Sequence, residues 1–306
     1  MSQVHTWHVE RSHPHNLHYR AITEVLAHKK TLYQEMWIVN FSLFGKALIL
    51  DGYLQSATAD EFVYHEPLVH PACVYHGAPK RVLVLGGGEG ATIREILKWQ
   101  SVEQVVMVDI DGELVDACQK HLPEMHQGAF DDPRCELVIG DALEYLAQFE
   151  SEWDIIISDL SDPVEDSPAA AFFTKEYFEK CRRLLKPNGY LVVQASSCSA
   201  VELIPHARLV NTVKSVFPCV ASYSSYVPVF ADLWGFILAS MEPIDLRPEP
   251  EAVDRLLAEK TTCDFRMFDG TTLLGLMQTP KHIRQAIATH TDIYTLADPP
   301  QIWLDE

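Results

Sequence analysis

Four carboxylates stand where buried strands would end. Glu89 lies in VLVLGGGEGATIREIL, Asp109 in VVMVDIDGELV, Asp141 in ELVIGDALEYL and Asp159 in IIISDLSDP. Each follows a short apolar run, and in an open parallel sheet ligands sit outside the carboxyl ends of the strands. If the four runs are parallel strands of one sheet, the acids converge on one crevice. Like charges packed together repel and raise one another's pKa, so the cluster suits a cationic or hydroxyl-rich ligand. Asp162 follows closely on Asp159, with Pro163 behind it. Paired carboxylates at that spacing can hold an ammonium and accept its proton.

Each of these residues also has a plainer explanation. The loop GGGEG places Gly86, Gly88 and Gly90 at G-x-G-x-G spacing rather than G-x-G-x-x-G, and glycine loops of this kind match many sequences by chance. Asp109 lies about 20 residues further on, where an acid grips ribose hydroxyls in dinucleotide folds. It could instead cap the next helix, a task equally open to Asp111. Asp141 could accept a hydrogen bond from an adenine amino group or cap the helix that follows it. Asp and Pro favour turns, which accounts for SDP but not for an aspartate directly after IIIS.

The elements that must position these acids can be read from the pattern. RVLVLG, VEQVVMVDID, RCELVIGD and WDIIISDLSDP read as strands, each followed by a helical stretch such as ATIREILKW or TKEYFEKCRRLL. Strands alternating with helices predict a doubly wound, mainly parallel sheet. KPNG reads as a turn before the strand YLVVQA, followed by a helix over about 202–215 and strands over about 218–226 and 233–240. EPEAVDRLLAEK and PKHIRQAIATH read as helices on the flank of the sheet. Before the sheet, EMWIVNFS and KALILDGYLQ predict a small antiparallel β domain, broken by FGK and DGY turns. A helix over 60–76 joins the two, with Asp60 as its N-cap and Pro67 and Pro71 in its middle. The expected division is residues 1–60 for the β domain and 61–306 for a Rossmann-like α/β domain.

Composition narrows the function classes. The chain of 306 residues carries 43 acids against 24 bases, a net charge of −19. That disfavours nucleic acid, which needs a basic face, and favours cationic ligands. No apolar run approaches the ~18 residues of a membrane span, and the polar start MSQVHTWHVERSHPH has no secretory h-region. The seven cysteines are dispersed without a CxxC pair, which predicts free thiols in a reducing compartment, the cytoplasm. His5, His8, His13, His15 and His18 crowd the N-terminus without a Cys or acid at ligand spacing, and read as a solvated arm rather than a metal site.

With these residues in place, the chain resembles the polyamine aminopropyltransferases, the spermidine synthase family. The stretches that carry the resemblance are LDGYLQSATADEFVYHE, VLGGGEGATIRE, VVMVDIDGELV, DDPRCELVIGDA, ISDLSDP and FFTKEYF. The resemblance implies transfer of an aminopropyl group from decarboxylated S-adenosylmethionine to an amine, with release of methylthioadenosine. It implies no prosthetic group, and because a sulfonium is already an activated leaving group, no metal. Asp159 matches the catalytic acid and Asp162 the acid that holds the acceptor amine. Gln34 and His65 match donor contacts, Glu89 the acid for the donor's amino group and Asp109 the ribose acid. Asp141 with Ala142 matches the adenine pair, and Pro168 a proline at the nucleoside. Gly86 and Gly88 belong to the donor loop. Tyr64 and Gln55 match residues lining the active site, and Tyr64, Phe230 and Trp234 could wall the acceptor's methylene chain. A homodimer or homotetramer is implied.

The chain also departs from the commonest pattern. Many spermidine synthases have Asp in place of Glu89, Glu in place of Asp109 and Asp-Gly in place of Asp141-Ala142. VPVFADLWG puts Phe230 where many have a tyrosine. GGGEG, VDID, the DLxDP motif and ADxWG look more like thermospermine synthases and the aminopropyltransferases of thermophilic bacteria, which use spermidine or agmatine. The expected acceptor is putrescine, giving spermidine, with spermidine or agmatine as alternatives. Two rivals share the fold. An S-adenosylmethionine methyltransferase would have to accommodate the donor's carboxylate, which Glu89 would repel. A non-catalytic homologue would be expected to lack Asp159 or Tyr64.

Overall fold

The computed structural model describes residues 6–13, 16–149, 152–163, 168–262 and 265–301, without the side chains of residues 12, 13 and 168. The N-terminal strands β1 (Thr6–His13), β2 (Asn16–Lys30), β3 (Glu35–Phe41), β4 (Gly45–Leu50) and β5 (Tyr53–Ala57) form an antiparallel sheet in chain order. The DG signal makes a two-residue hairpin turn, with Asp51 at φ 49° and Gly52 at φ 85° between the paired Leu50 and Tyr53. Positive φ at both central residues matches the right-handed twist of the flanking strands. The polar N-terminus expected to be a solvated arm instead pairs as β1 with β2, from Thr6 opposite Ile22 to His13 opposite Asn16. His5 and His15 of that cluster lie outside the described residues.

Helix α1 (Phe62–His76) runs unbroken through Pro67 and Pro71. Pro71 has no N–H for the carbonyl of Pro67, and Tyr223 supplies the missing donor through its hydroxyl at 2.9 Å. That external donor lets the helix continue across a residue that would otherwise break it. Asp60 does not cap this helix. Its Oδ2 accepts from the backbone of Val229 at 2.6 Å and ties down the turn before the last strand.

The second sheet follows as β6 (Arg81–Gly86), α2 (Ala91–Leu97), β7 (Gln104–Asp109), α3 (Gly112–His121), α4 (Pro123–His126), β8 (Cys135–Ile139), α5 (Ala142–Leu146), β9 (Trp153–Asp159), α6 (Lys175–Leu184), β10 (Leu185–Ser197), α7 (Leu203–Lys214), β11 (Cys219–Val227) and β12 (Asp232–Ser240). Helices α8 (Pro250–Lys260), α9 (Gly270–Leu276) and α10 (Lys281–Thr289) close the chain. The strand order is β11-β12-β10-β9-β6-β7-β8, with β10, β9, β6, β7 and β8 parallel and β12 antiparallel to both its neighbours. This is the doubly wound, Rossmann-like sheet the sequence predicts, with β6 and β9 at the point where the winding reverses. KPNG is not a separate turn. Residues 186–189 form an irregularity inside β10, where pairing with β9 jumps from Leu185 to Tyr190.

Strand β6 is apolar on both faces because both are covered. Val82 and Val84 pack with Leu68 and Val69 of α1 and Ile93 and Ile96 of α2. Leu83 and Leu85 pack with Phe178 of α6 and Val210 and Val213 of α7. Each such side chain taken fully out of water contributes about 1.5–3 kcal/mol. The N-terminal sheet lies against the same body. Met36 and Ile38 of β3 and Leu48 and Leu50 of β4 bury against Leu114 and Cys118 of α3 and Met125 of α4. Val39, Phe41 and Ile49 on the opposite face pack with Val227 and Val229. Among the described residues no helix is long and apolar enough to cross a membrane.

Candidate active site

The register between the two central strands sets the geometry of the site. Gly86 at the end of β6 lies opposite Asp159 at the end of β9, and the glycine loop turns away from that point. Gly86 has φ +80°, and a Cβ there would lie 2.2 Å from the carbonyl oxygen of Asp159. A Cβ on Gly88 would stand 3.0 Å from Asp109 Oδ2. The loop is glycine-rich because two acids crowd its backbone, not only because it turns.

A cavity of about 870 Å³ opens at this switch point. Of the residues singled out in the sequence, Gln34, Gln55, Tyr64, Gly86, Gly88, Glu89, Asp109, Asp141, Ala142, Asp159, Asp162, Phe230 and Trp234 all line it. His65 does not line the cavity. It stands behind Glu89, fully buried, with Nε2 at 3.3 Å from Glu89 Oε1. The backbone of Pro168 opens a short 3-10 segment, Pro168–Phe173, whose Ala169 and Phe172 reach the cavity; the side chain of Pro168 is outside the description.

Asp159 is held from two sides. Tyr64 of α1 donates its hydroxyl to Oδ1 at 2.8 Å, and Thr92 of α2 donates to Oδ2 at 2.6 Å. Each oxygen keeps a further lone pair for a ligand proton. Burial and then the charge of Glu89 push the Asp159 carboxyl above the usual carboxylate range, against the lowering pull of His65, Thr92 and Tyr64. The same burial, with Asp159 beside it, holds the Tyr64 hydroxyl well above its ordinary pKa, so it stays a donor. Asp162 is also raised by burial, while Gln194 and Ser196 donate to its Oδ1 at 3.0 and 2.7 Å.

On the glycine-loop side, Asp109 is pushed up to about 6, mainly by burial and with added repulsion from Asp111 and Glu89. Its Oδ1 accepts the backbone N–H of Asp111 at 2.9 Å. Asp111, not Asp109, caps α3, accepting from Leu114 at 3.1 Å. Its other oxygen holds Thr31 and the amide of Gln34 at 2.6 and 3.0 Å, which brings the β2–β3 turn to the cavity wall. Asp141 does serve as a helix cap, accepting from Leu143 and Glu144 at the start of α5; it lines the cavity as well. Glu89 behaves unlike its neighbours. Burial pushes it up, but the adjacent His65 imidazole, helped by the backbone and Ser56, outweighs burial and leaves it below its ordinary value.

Thr92, Gln194, Ser196 and Asp111 were not assigned to the site from sequence. Thr92 follows the glycine loop directly, a position from which a hydroxyl reaches back over the sheet edge. Gln194 is the hub of the Asp162 side: it donates to Leu160 and Asp162 and receives the indole N–H of Trp234 at 3.2 Å. Trp234 thereby faces the cavity with one edge fixed, and Phe230 packs against it at 4.8 Å between ring centroids. Phe230 also borders the core beneath the N-terminal sheet, so packing and cavity lining coincide there. Among the described residues no group of three or more His, Cys, Asp or Glu is arranged to hold a metal ion.

Comparison with known proteins places this geometry. Residues 61–248 match the model of the spermine/spermidine synthase domain, and residues 6–58 that of the spermidine synthase tetramerisation domain. A polyamine aminopropyltransferase of a Synechococcus strain is 55% identical over 303 residues, 97% of either chain. Another from Sulfurisphaera tokodaii is 42% identical over 293 residues, 96% of this chain and 97% of its own. The crystal structure of a spermidine synthase in complex with the transition-state analogue AdoDATO superposes with a TM-score of 0.86 at 27% identity, over 94% of this chain and 97% of that one. The spermidine synthase of Thermotoga maritima gives 0.85 at 28% identity, over 94% and 96%.

Proposed function

The chain belongs to the spermine/spermidine synthase family, and we propose that it transfers the aminopropyl group of decarboxylated S-adenosylmethionine to putrescine, releasing spermidine and methylthioadenosine. The observation that carries the reading is the pairing of Asp159, raised and doubly anchored, with Asp162 across one mouth of an anionic cavity. An alkyl ammonium has a pKa near ~10 and cannot attack until it loses a proton. Asp159 takes that proton, and its raised pKa makes it a stronger base than a solvated aspartate. The freed lone pair attacks the methylene carbon beside the sulfonium. The C–S bond breaks, its electrons go to sulfur, and neutral methylthioadenosine leaves. Holding both substrates in line supplies much of the acceleration.

The remaining roles follow from position. Glu89 receives the donor's ammonium and would repel a donor that kept its carboxylate, which separates this reading from methyl transfer. Asp109 holds the ribose, Asp141 and Ala142 border the adenine, and Gln34 with Gln55 closes the donor side from the N-terminal sheet. His65 acts on the donor through Glu89. Pro168 is assigned to the nucleoside on resemblance alone. Tyr64 orients Asp159, while Phe230 and Trp234 flank the acceptor's methylenes. The reading includes an N-terminal β domain over 1–60 and a catalytic domain over 61–306, a homo-oligomer in keeping with the tetramerisation-domain match, and a cytoplasmic location in keeping with the free thiols of Cys73, Cys118, Cys135, Cys181, Cys198 and Cys219. Cys263 lies outside the described residues.

A second acceptor reading has its own support. Glu202 and Asp232 also line the cavity, and their charge favours an acceptor with more positive charge than a diamine. Spermidine, or agmatine with its guanidinium, would use them. The test is a panel of putrescine, cadaverine, agmatine and spermidine with the decarboxylated donor, using separations that resolve spermine from thermospermine, and with Asp159→Asn alongside. The variant should lose about two to four orders of magnitude in turnover while still binding methylthioadenosine. Near-normal turnover removes Asp159 from its role, and no product from any amine with the unaltered enzyme rejects the function.

A further inference from the structure

One buried titratable group, His65, touches neither substrate in the reaction described above, yet its surroundings are built with care. Its Nδ1 lies 2.9 Å from the carbonyl oxygen of Glu61 and 3.0 Å from Glu61 Oε2. Its Nε2 is buried and lies 3.3 Å from Glu89 Oε1, an ion-pair distance, without a hydrogen bond to any described residue. Both ring nitrogens therefore face oxygen atoms that carry no proton when ionised. A neutral imidazole has one N–H and one lone pair, so either neutral tautomer would set a lone pair against a carboxylate. The imidazolium alone meets both sides with a donor.

The far side of Glu61 is equally fixed. Arg94 Nη2 binds Glu61 Oε2 at 2.8 Å, while Nη1 donates to the carbonyl of Met125 at 2.6 Å. The same guanidinium is held by Glu95 Oε1, through Nε at 2.8 Å and Nη2 at 2.7 Å. Glu95 in turn receives His70 at 2.8 Å and Lys98 at 2.7 Å. Glu61, Arg94, Glu95 and His70 are all buried. A partly satisfied network at this depth would be costly, and this one leads in an unbroken series of contacts to the wall of the donor site.

We propose that Glu61 is a positioning residue for the donor: clamped by Arg94, it keeps His65 an imidazolium whose Nε2 holds the Glu89 carboxylate in place for the donor's ammonium. This rests on the assignment of Glu89 to the donor amine. The groups facing the imidazole are Glu61, which precedes α1, Tyr64 of α1, Glu89 of the glycine loop and, across the crevice, Asp159 at the end of β9; Arg94 of α2 and Arg266 lie beyond Glu61. Burial opposes the imidazolium, but Glu61 and Glu89 outweigh it and raise His65 to about 10. The cation also keeps Glu89 ionised beside Asp159 and Asp109, which a buried acid cluster would otherwise disfavour.

Glu61→Gln keeps the side chain's shape and removes its charge. In this variant the donor KM is expected to rise about tenfold, in line with loss of one charge-assisted hydrogen bond, with kcat little changed. His65 then falls toward its ordinary ~6.5, so kcat/KM for the donor gains a limb that declines as pH rises through neutrality. The unaltered enzyme shows no such limb. In a His65→Gln background, adding Glu61→Gln should leave the profile unchanged. A normal donor KM and an unaltered profile in Glu61→Gln overturn the proposal, as does a pH limb that survives in the double variant. Nitrogen NMR of the unaltered protein gives a reading that needs no variant: His65 must show imidazolium shifts at pH 8, and a neutral ring there also overturns it. Failure of the unaltered enzyme to transfer an aminopropyl group would instead count against the function itself.

Discussion

Glu89 is set apart from Asp109, Asp159 and Asp162 chiefly by His65. Asp109, Asp159 and Asp162 are all raised by burial, whereas the imidazole of His65 reverses the effect of burial on Glu89. Of these four acids it is the one best kept as an anion for a ligand's ammonium. Glu89→Gln should weaken the decarboxylated donor about tenfold or more and leave methylthioadenosine, which has no amine, almost unaffected. Calorimetric titration of both ligands checks this, and equal losses would remove Glu89 from the amine. Asp109 and Asp159 were legible as cavity residues because each ends an apolar strand, and Glu89 and Asp162 because they stand in the GGGEG and DLSDP motifs beside those ends. Gln194, Ser196 and Thr92 were not legible, because a glutamine or hydroxyl near a strand end or in the first turn of a helix says nothing until its partner's position is known. Asp111 was visible only as a cap; its second oxygen, which anchors Gln34, depends on a turn some eighty residues away in the chain.

At the scale of elements, the parallel sheet was legible because both faces of β6, β7 and β9 are covered, which leaves nearly continuous apolar runs. Departures came where a remote partner overrode a local signal. Pro71 does not end α1, since Tyr223 satisfies the carbonyl it orphans. Asp60 gives up the helix cap for the backbone of Val229. Asp154 shows the same logic at the start of β9. Its Oδ2 accepts the backbone N–H groups of Lys80 and Arg81 at 2.9 and 2.8 Å, and its Oδ1 holds Lys186 at 2.9 Å. One carboxylate thus aligns the beginnings of β9, β6 and β10. Burial raises its pKa, but His76, Lys186 and the two backbone donors outweigh burial and depress it well below the usual range. A depressed folded-state pKa gives stability that is present above the unfolded value of ~3.9 and lost as pH falls below it toward the folded value. Asp154→Ala should cost about 2 kcal/mol at pH 7 and flatten the acid limb of the stability curve below about pH 4. Denaturant melts at pH 7 and pH 3 measure both effects; an unchanged midpoint at pH 7 would mean that the carboxylate aligns nothing.

Across the whole molecule, the N-terminal sheet does two jobs with two regions. Its inner strands β3 to β5 cover the cavity: Met36, Ile38, Leu48 and Leu50 bury against α3 and α4 while Gln34 and Gln55 reach the site. Its outer hairpin carries apolar side chains that are exposed on one face. Trp7 pairs across from Ala21, Val9 from Tyr19 and Arg11 from Leu17, so by the two-residue period of a strand these side chains share one face. Trp7, Val9, Leu17 and Tyr19 are 52, 48, 44 and 60% exposed. Contiguous apolar side chains of this kind mark a surface that associates, and residues 6–58 match a tetramerisation domain. The alternation along β1 was hidden in the sequence by the histidines and charges between its apolar residues, which is why this stretch reads as a solvated arm when taken alone. Tyr19→Glu places a charge at the centre of that face without touching the core packing of β3 and β4. Light scattering after size exclusion should show a smaller assembly than the unaltered enzyme. Donor binding should persist, because Gln34 and Gln55 are carried by the inner part of the sheet. An assembly of unchanged mass would mean that subunits meet through another surface, and loss of donor binding on dissociation would mean that the cavity depends on a neighbouring subunit.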